Sequence, residues 1–219
     1  MNSKKPELLL FPYGGNAIES LDIASKNYSV VGFIDDSSNL QGKTYHGIPI
    51  RNRNLFTEFP LAKVLAVPGN PTNFYKRTEL IRNLNIPKDR FTSLISSSAS
   101  IGLESKIGAN CLIFQNVVIS SNAIINDNVI ILPSSVIHHD SELGDGTIVG
   151  SGSIIAGKCN IGRNVYIGSG VRIRNGINIG EGALIGMGSV VTKDVPPRSI
   201  SYGVPAVSVK ERNSSSFYK

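Results

Sequence analysis

Residues 113–149 read IFQNVV ISSNAI INDNVI ILPSSV IHHDSE LGDGTI V when broken every six residues. Every block opens on a branched aliphatic. Carried outward in both directions, the mark recurs without interruption at Ile95, Ile101, Ile107, Ile113, Ile119, Ile125, Ile131, Ile137, Leu143, Val149, Ile155, Ile161, Ile167, Ile173, Ile179, Ile185 and Val191. A period of six matches neither the turn of a helix nor the two-residue alternation of a strand. It is the sign of a stacked repeat.

The residue four places after each aliphatic is small or β-branched: Ala99, Ser105, Cys111, Val117, Ala123, Val129, Ser135, Ser141, Thr147, Ser153, Cys159, Val165, Val171, Ile177, Ala183 and Ser189. It stands two residues before the next aliphatic, so both are expected to point inward on one short strand. The large residue fills the interior and the small one fits near a bend. Gly102, Gly108, Gly144, Gly162, Gly168, Gly180 and Gly186 are expected to supply positive φ at the turns. Cys111 and Cys159 occupy the small inward slot, so packing is their expected role.

The chain changes character near residue 92. Before it, residues 7–12 (ELLLFP) read as a buried strand, followed by a tight turn at Tyr13-Gly14-Gly15-Asn16 and a helical pattern from Ala17 to Lys26. Val30–Ile34 is a second strand closed by Asp35-Asp36, and Lys63–Val67 a third closed by Pro68-Gly69-Asn70. Thr72–Leu84 reads as a second helix. Alternating strands and helices imply a small parallel sheet. Ligands of such sheets sit beyond the carboxyl ends of the strands, which here carry Gly14, Gly15, Asn16, Asp35, Asp36, Gly69 and Asn70.

Composition narrows the partners. The 219 residues carry 22 Lys and Arg against 16 Asp and Glu, a net charge of +6. That balance serves solubility or an acidic, phosphate-bearing small molecule, and no basic run with interleaved aromatics points to nucleic acid. No apolar run approaches the length of a membrane span, and the N-terminal apolar stretch is short for a signal peptide. Two cysteines give no disulfide framework. A cytoplasmic protein is the default expectation.

The repeat resembles that of the hexapeptide-repeat acyltransferases, which fold as a left-handed parallel β-helix with three hexads per triangular coil. The closing stretch, Gly186-Met187-Gly188-Ser189-Val190-Val191-Thr192-Lys193-Asp194-Val195-Pro196-Pro197 followed by Tyr202-Gly203-Val204-Pro205-Ala206, is similar to the segment that lies along acetyl-CoA in that family. With the N-terminal Gly14-Gly15, Phe33-Ile34-Asp35-Asp36 and Pro68-Gly69-Asn70, the chain looks like the sialic acid O-acetyltransferase NeuD-type group, which includes bacterial acetyltransferases of UDP- and dTDP-amino sugars. The resemblance implies a Rossmann-like α/β unit at 1–92 that holds a nucleotide sugar. It implies an all-β left-handed β-helix at 93–196 and a segment at 197–219 that closes the CoA site. It further implies a homotrimer with active sites between subunits, acetyl-CoA as co-substrate and no metal. Relatives carry His where this chain has Asn16, and a further His in the hexad where it reads Thr147-Ile148-Val149.

Only three histidines are present, His46, His138 and His139. His46 reads as a surface loop residue. His138 follows the inward Ile137 and is expected on a flat face, with His139 one step on at the bend. The family's catalytic His occupies the place of His139, followed by an acid, here Asp140. A carboxylate bound to imidazole fixes its tautomer and stabilises the imidazolium. If 18 residues make one coil, His139 stacks with Ser121, Gly157, Asn175 and Lys193. Gly157 would then leave room for the thioester and offer its N–H to the oxyanion. Ser169, Met187, Lys193, Val204 and Pro205 are the other implied CoA contacts. Lys158, Arg163, Arg172, Arg174, Arg198 and Lys210 supply further charge, with Lys193, Arg198 and Lys210 placed for the CoA phosphates or on a solvated face.

The reading is transfer of an acetyl group to the amine of a nucleotide-linked amino-deoxy sugar, for bacterial surface glycans, with His139 as base. O-acetylation of a sugar and a non-catalytic scaffold are the alternatives. A γ-type carbonic anhydrase would need three His on zinc. Nucleotidyl transfer would need a larger first unit with a Gly-rich loop and Lys.

Overall fold

The computed structural model describes residues 4–211; the polar tail beyond residue 211 lies outside the described residues. The N-terminal region holds β1 (Glu7–Phe11), α1 (Gly15–Glu19), α2 (Leu21–Asn27), β2 (Ser29–Ile34), β3 (Thr44–Tyr45), β4 (Ile48–Arg51), α3 (Leu55–Glu58), β5 (Lys63–Ala66) and α4 (Arg77–Arg82). They form one sheet in the order β3-β4-β2-β1-β5. All pairings are parallel except the β3–β4 hairpin, whose turn carries the exposed, positive-φ His46. That hairpin and α3 were not anticipated from the sequence, because their runs are too short to show a period. The central β1 is buried on both sides, which is why ELLLF reads as a continuous apolar run. Leu8 and Leu10 join one cluster and Leu9 and Phe11 the other.

Both expected helices are shorter than their periodicity. The first breaks at Ser20, whose buried hydroxyl bonds the Ala17 carbonyl, a local bond that competes with the helical ladder. The second begins as a 3-10 turn at Phe74–Lys76 and is α-helical only over Arg77–Arg82. Asn70 Oδ1 accepts from the Thr72 N–H at 2.8 Å, which holds the start of that stretch as a turn.

Beyond residue 93 the chain coils into three parallel faces, each strand pairing with the one 18 residues on, as in Val118↔Val136 and Val136↔Ile154. The first face carries the marks Ile101, Ile119, Ile137, Ile155, Ile173 and Val191. The second carries Ile107, Ile125, Leu143, Ile161 and Ile179, and the third Ile95, Ile113, Ile131, Val149, Ile167 and Ile185. This is the left-handed β-helix expected. Each strand is two residues long, an outward residue and then the inward aliphatic, so the small inward residue lies just ahead of the strand rather than on it. Small polar residues in that slot satisfy themselves: the hydroxyls of Ser135, Ser141, Thr147 and Ser153 each donate to a carbonyl 15 residues on, at 2.9 Å. Burying each aliphatic mark contributes about 1.5–3 kcal/mol. The first coil has no coil beneath it, and Ile95 and Ile101 remain 40% and 39% exposed.

The turn chemistry corrects the sequence reading. Positive φ falls three residues after the aliphatic mark, at Asn110, Asn122, Asp140, Gly146, Lys158 and their equivalents, not at the glycines that follow the mark directly. Those glycines are needed for close stacking. A Cβ on Gly102, Gly144, Gly162 or Gly168 would lie 2.5–2.7 Å from backbone of the next coil.

The outward residues differ by face. On the third they are Leu94, Leu112, Ile130, Ile148, Tyr166 and Leu184, and they pack with Leu8, Leu10 and Phe33 of the N-terminal sheet in one cluster. On the second they are Lys106, Ile124, Glu142, Asn160 and Asn178. The N-terminal unit therefore rides on the third face. After Val191 the register shortens by two, since Ile179 bridges Val195 instead of the residue 18 on. Ser199–Gly203 then adds to the third face beside Leu184–Ile185 and turns back as a hairpin with Ala206–Glu211.

Candidate active site

The corner after the first face carries the histidines. Val136–Ile137 is the strand, His138 follows it half-buried, and His139-Asp140 form the turn, both exposed. The ladder holds the segment from either side. His138 N–H donates to the Ile155 carbonyl, Asp140 N–H to the Ser121 carbonyl, and Lys158 N–H to the His139 carbonyl. Asp140 sits at φ +57, the left-handed turn position. That conformation swings its carboxylate back onto its neighbour, and His139 Nδ1 lies 2.8 Å from Asp140 Oδ2.

Asn122, one coil below Asp140, donates from Nδ2 to Asp140 Oδ1 at 3.1 Å. The two hydrogen bonds, from His139 first and Asn122 second, hold the Asp140 carboxyl below its ordinary range. An ionised carboxylate only accepts, so Nδ1 carries the proton of the neutral imidazole and Nε2 is left with a free lone pair. Asn122 was missed from the sequence. Its signal was the turn column, which puts residues 18 apart side by side.

Gly157 stacks over His139 as expected, but for a different reason. A Cβ there would lie 2.7 Å from His139 Nε2 and 2.8 Å from Cε1. The ring itself fills the space that was assigned to a thioester. The column continues to Asn175, since the next residue, Gly176, donates its N–H to the Gly157 carbonyl, whereas Lys193 lies, exposed, in the shortened last corner.

The other implied CoA contacts lie elsewhere on the chain. Ser169 and Met187 share the corner before the first face, both exposed, with Met187 at 82%. Val204 and Pro205 form the exposed tip of the closing hairpin. One chain thus gathers His139, Asp140 and Gly157 at one edge of the first face and Ser169 and Met187 at the other. Arg172 is spent on the fold, donating to the Gly152 and Gly170 carbonyls. Lys158, Arg163, Arg174 and Arg198 are exposed, and the Lys210 side chain lies outside the described residues. Both cysteines are buried and free. Burial pushes the Cys111 thiol up to about 11 and raises Cys159 as well, which suits packing and not nucleophilic attack.

In the N-terminal sheet the chain leaves β4 and returns on the far side of β1, so the crevice between the carboxyl ends of β1 and β5 is the switch point. Gly14, Gly15 and Asn16 stand on one side and Gly69 and Asn70 on the other, and Asn16 Nδ2 reaches the Val67 carbonyl at 3.5 Å. Gly14 and Gly15 have open space where a side chain would begin. Asp35 and Asp36 are not in this crevice. They line a separate cavity of about 370 Å³ with Phe11, Pro12, Ser37 and Arg53, where Arg53 Nε pairs with Asp36 Oδ2 at 2.5 Å. A larger cavity, about 510 Å³, lies on the upper second face between Asn160, Asn178, Glu181 and Asp194; no candidate residue lines it, though Lys193 and Arg198 are chain neighbours of its lining residues Asp194 and Pro197. Among the described residues no three His, Cys, Asp or Glu side chains converge as a metal site requires, and no helix is long and apolar enough to cross a membrane.

Comparisons with known proteins bear on the fold. The model of the bacterial transferase hexapeptide family (six repeats) matches residues 104–139, 122–157 and 158–193. No curated protein matches the sequence. PerB from Caulobacter crescentus, solved with CoA and GDP-perosamine, superimposes with a TM-score of 0.80 at 24% identity, covering 95% of this chain and 99% of that one. A histidine-to-asparagine mutant of perosamine N-acetyltransferase from Caulobacter crescentus, with CoA and GDP-perosamine, gives 0.81 at 24% identity over 95% and 98%. The acetyltransferase domain of PglB from Neisseria gonorrhoeae, with acetyl coenzyme A, gives 0.81 at 22% identity over 94% and 100%. WeeI from Acinetobacter baumannii gives 0.80 at 25% identity over 94% and 100%.

The repeat region at 104–193 thus matches bacterial transferase hexapeptide repeats, and the likeness to the solved proteins is one of fold over 94–95% of this chain.

Proposed function

We propose that this protein is an acyltransferase that moves an acetyl group from acetyl-CoA to the amine of a nucleotide-linked amino-deoxy sugar, with UDP or dTDP as the nucleotide, in the making of bacterial surface glycans. The observation that carries the reading is the His139–Asp140 pair at 2.8 Å, with Nε2 left to accept a proton. The structural neighbours include one that binds CoA with a nucleotide amino sugar. The NeuD-type subgroup, the division at 1–92, 93–196 and 197–219, a homotrimer and a cytoplasmic location belong to the same proposal.

Acetyl-CoA supplies the activated acyl carbon and a thiolate leaving group. His139 Nε2 takes the proton from the acceptor nitrogen as that nitrogen bonds to the acyl carbon, and returns it to the departing sulfur as the C–S bond breaks. Asp140 holds the imidazole in the tautomer required and stabilises the imidazolium between those two transfers. Among the described residues the Gly157 N–H donates to no backbone carbonyl, and charge on the acyl oxygen would meet it beside the ring. Ser169, Met187, Lys193, Val204 and Pro205 would hold CoA. The placement of Ser169, Met187, Val204 and Pro205 away from the His139 corner of the same chain fits a site completed by a neighbouring copy. Gly14, Gly15, Asn16, Gly69 and Asn70 would hold the nucleotide, with Asp35 and Asp36 at the adjoining cavity.

The test reads free thiol from acetyl-CoA with UDP-, dTDP- and GDP-linked amino sugars and with hydroxylated sugars. Transfer to an amine acceptor is expected, and His139→Ala is expected to lose about 10²–10⁴ of it with the oligomer unchanged. Thiol release only with hydroxylated sugars would make the protein an O-acetyltransferase. Full activity in His139→Ala would remove the base assignment, and no release with any acceptor would leave the scaffold reading.

A further inference from the structure

The left-handed turn residues form a column at each corner. At the corner between the second and third faces the column reads Asn110, Asn128, Gly146, Asn164 and Gly182, all with positive φ. Two of these do more than turn the chain. Asn110 is buried, and its amide pairs with both backbone groups of Ala66. Its Oδ1 accepts from the Ala66 N–H at 2.7 Å and its Nδ2 donates to the Ala66 carbonyl at 2.8 Å. Ala66 ends β5, the edge strand of the N-terminal sheet, so this side chain takes the place of a missing neighbouring strand. Asn164, also buried, accepts from the Thr78 N–H at 3.2 Å and donates to Thr78 Oγ1 at 2.9 Å. Gly146 lies between them, and a Cβ there would come within 2.7 Å of Thr78 Cγ2.

The two asparagines are three coils apart, roughly 14 Å at one strand spacing per coil. They grip the two ends of the segment Ala66–Thr78. Within it run Val67, Pro68, Gly69 and Asn70, the wall of the crevice opposite Gly14-Gly15. That wall is packed without slack. Val67 N–H donates to the Phe11 carbonyl at 2.6 Å, the wholly buried Arg77 donates from Nε to the Pro68 carbonyl at 2.6 Å, and a Cβ on Gly69 would lie 3.0 Å from both Arg77 Cδ and Ile148 Cδ1. Among the described residues, the two buried terminal nitrogens of Arg77 have no hydrogen-bond partner. A buried cation so placed costs stability, which fits a residue kept to set geometry.

We infer that Asn110 and Asn164 are positioning residues for the acceptor: they pin the crevice wall to the β-helix, so that a ligand held by its nucleotide end presents its reacting group at a fixed place relative to the histidine corner. The inference rests on the proposed function. A nearly rigid link matters because misplacement of a reacting atom by about 1 Å can cost about 10²-fold in rate.

The test is the double variant Asn110→Gly, Asn164→Gly. Glycine keeps the left-handed turn, as the same column already shows at Gly146 and Gly182, so the β-helix folds while both pins are lost. In the full-length protein, kcat/KM for the nucleotide-linked amino sugar is expected to fall about 10- to 100-fold. The KM for acetyl-CoA should hold, and the Ala66 and Thr78 amides should lose protection from hydrogen exchange. Asn164→Asp should lose less than Asn164→Gly, because the Thr78 hydroxyl can donate to a carboxylate. Faster exchange at both amides with unchanged kcat/KM overturns the inference, as does an equal loss toward an amino sugar lacking the nucleotide. A wild-type protein that binds none of UDP, dTDP or GDP by calorimetry overturns the proposed function itself, and the inference with it.

Discussion

At the corner after the first face the left-handed turn positions carry Glu104, Asn122, Asp140, Lys158 and Gly176, all exposed; at the corner after the second face they carry Asn110, Asn128, Gly146, Asn164 and Gly182, nearly all buried. The backbones are equivalent, with the same sign of φ at the same point of the repeat. What differs is the neighbour. The N-terminal unit covers one corner and turns its asparagines inward as docking groups, while the other corner is left open, where a carboxylate can orient an imidazole and still meet solvent. A solenoid of this kind thus separates the turn's conformational demand from its chemical use. Asn, Asp and Gly all tolerate the conformation, so side chain choice is free to serve docking in one column and the proposed catalysis in the other.

The comparison can be broken most sharply at Gly157. Gly157→Ala places a methyl 2.7 Å from His139 Nε2, and displacing the ring should lower kcat by about 10²-fold while the thermal transition moves little; unchanged kcat would mean that ring placement is not what this corner supplies. Next in size is a purely structural glycine. Gly168→Ala would set a Cβ 2.5 Å from the Met187 backbone nitrogen, and overpacking of this kind should cost about 1–3 kcal/mol in denaturant unfolding. A smaller loss than that of an exposed turn variant such as Gly176→Ala would contradict the stacking argument.

A third test concerns the open corner's carboxylate. Asp140→Asn keeps the shape but removes the charge that fixes the tautomer, and activity should fall about tenfold or more. The Asp140 carboxyl is held below its ordinary range by His139 and Asn122. The stabilisation it brings is therefore fully present above the ordinary carboxylate range and is lost as pH falls through the lowered value. Asn122→Ala should narrow that difference, seen as an upward move of the Asp140 titration by NMR. The smallest effect is expected from thiol reagents. Cys111, with its thiol raised to about 11, and the similarly raised Cys159 should resist labelling at pH 8 in the native state, and rapid labelling would show that the coil interior opens.

Particular residues show where sequence was enough. The period of six determined a stacked repeat, the inward aliphatics and the burial of both cysteines; the 18-residue β-helical coil, and with it the stacking of Gly157 over His139, came from the family resemblance. Each of these follows from a repeat whose geometry is fixed by strand pairing between identical units. His139-Asp140 was legible because adjacency in sequence placed both on one turn. The turn chemistry was misread: Gly102 and Gly144 looked like positive-φ residues, yet their need arises from backbone 18 residues away. Asp35 and Asp36 looked like partners of Gly14 and Asn70 because all end strands, but strand order puts them on the other side of β1.

Tertiary structure alone decided what each face and corner meets. The apolar outward residues Leu112, Ile130 and Ile148 are ordinary in a six-residue repeat until the N-terminal sheet is seen to cover them, and Asn110 and Asn164 are ordinary turn residues until Ala66 and Thr78 are seen in their grip. Periodicity specifies how a chain packs on itself at a constant separation. It carries no information on contacts such as Asn164 with Thr78, 86 residues apart, which depend on how two unlike units dock.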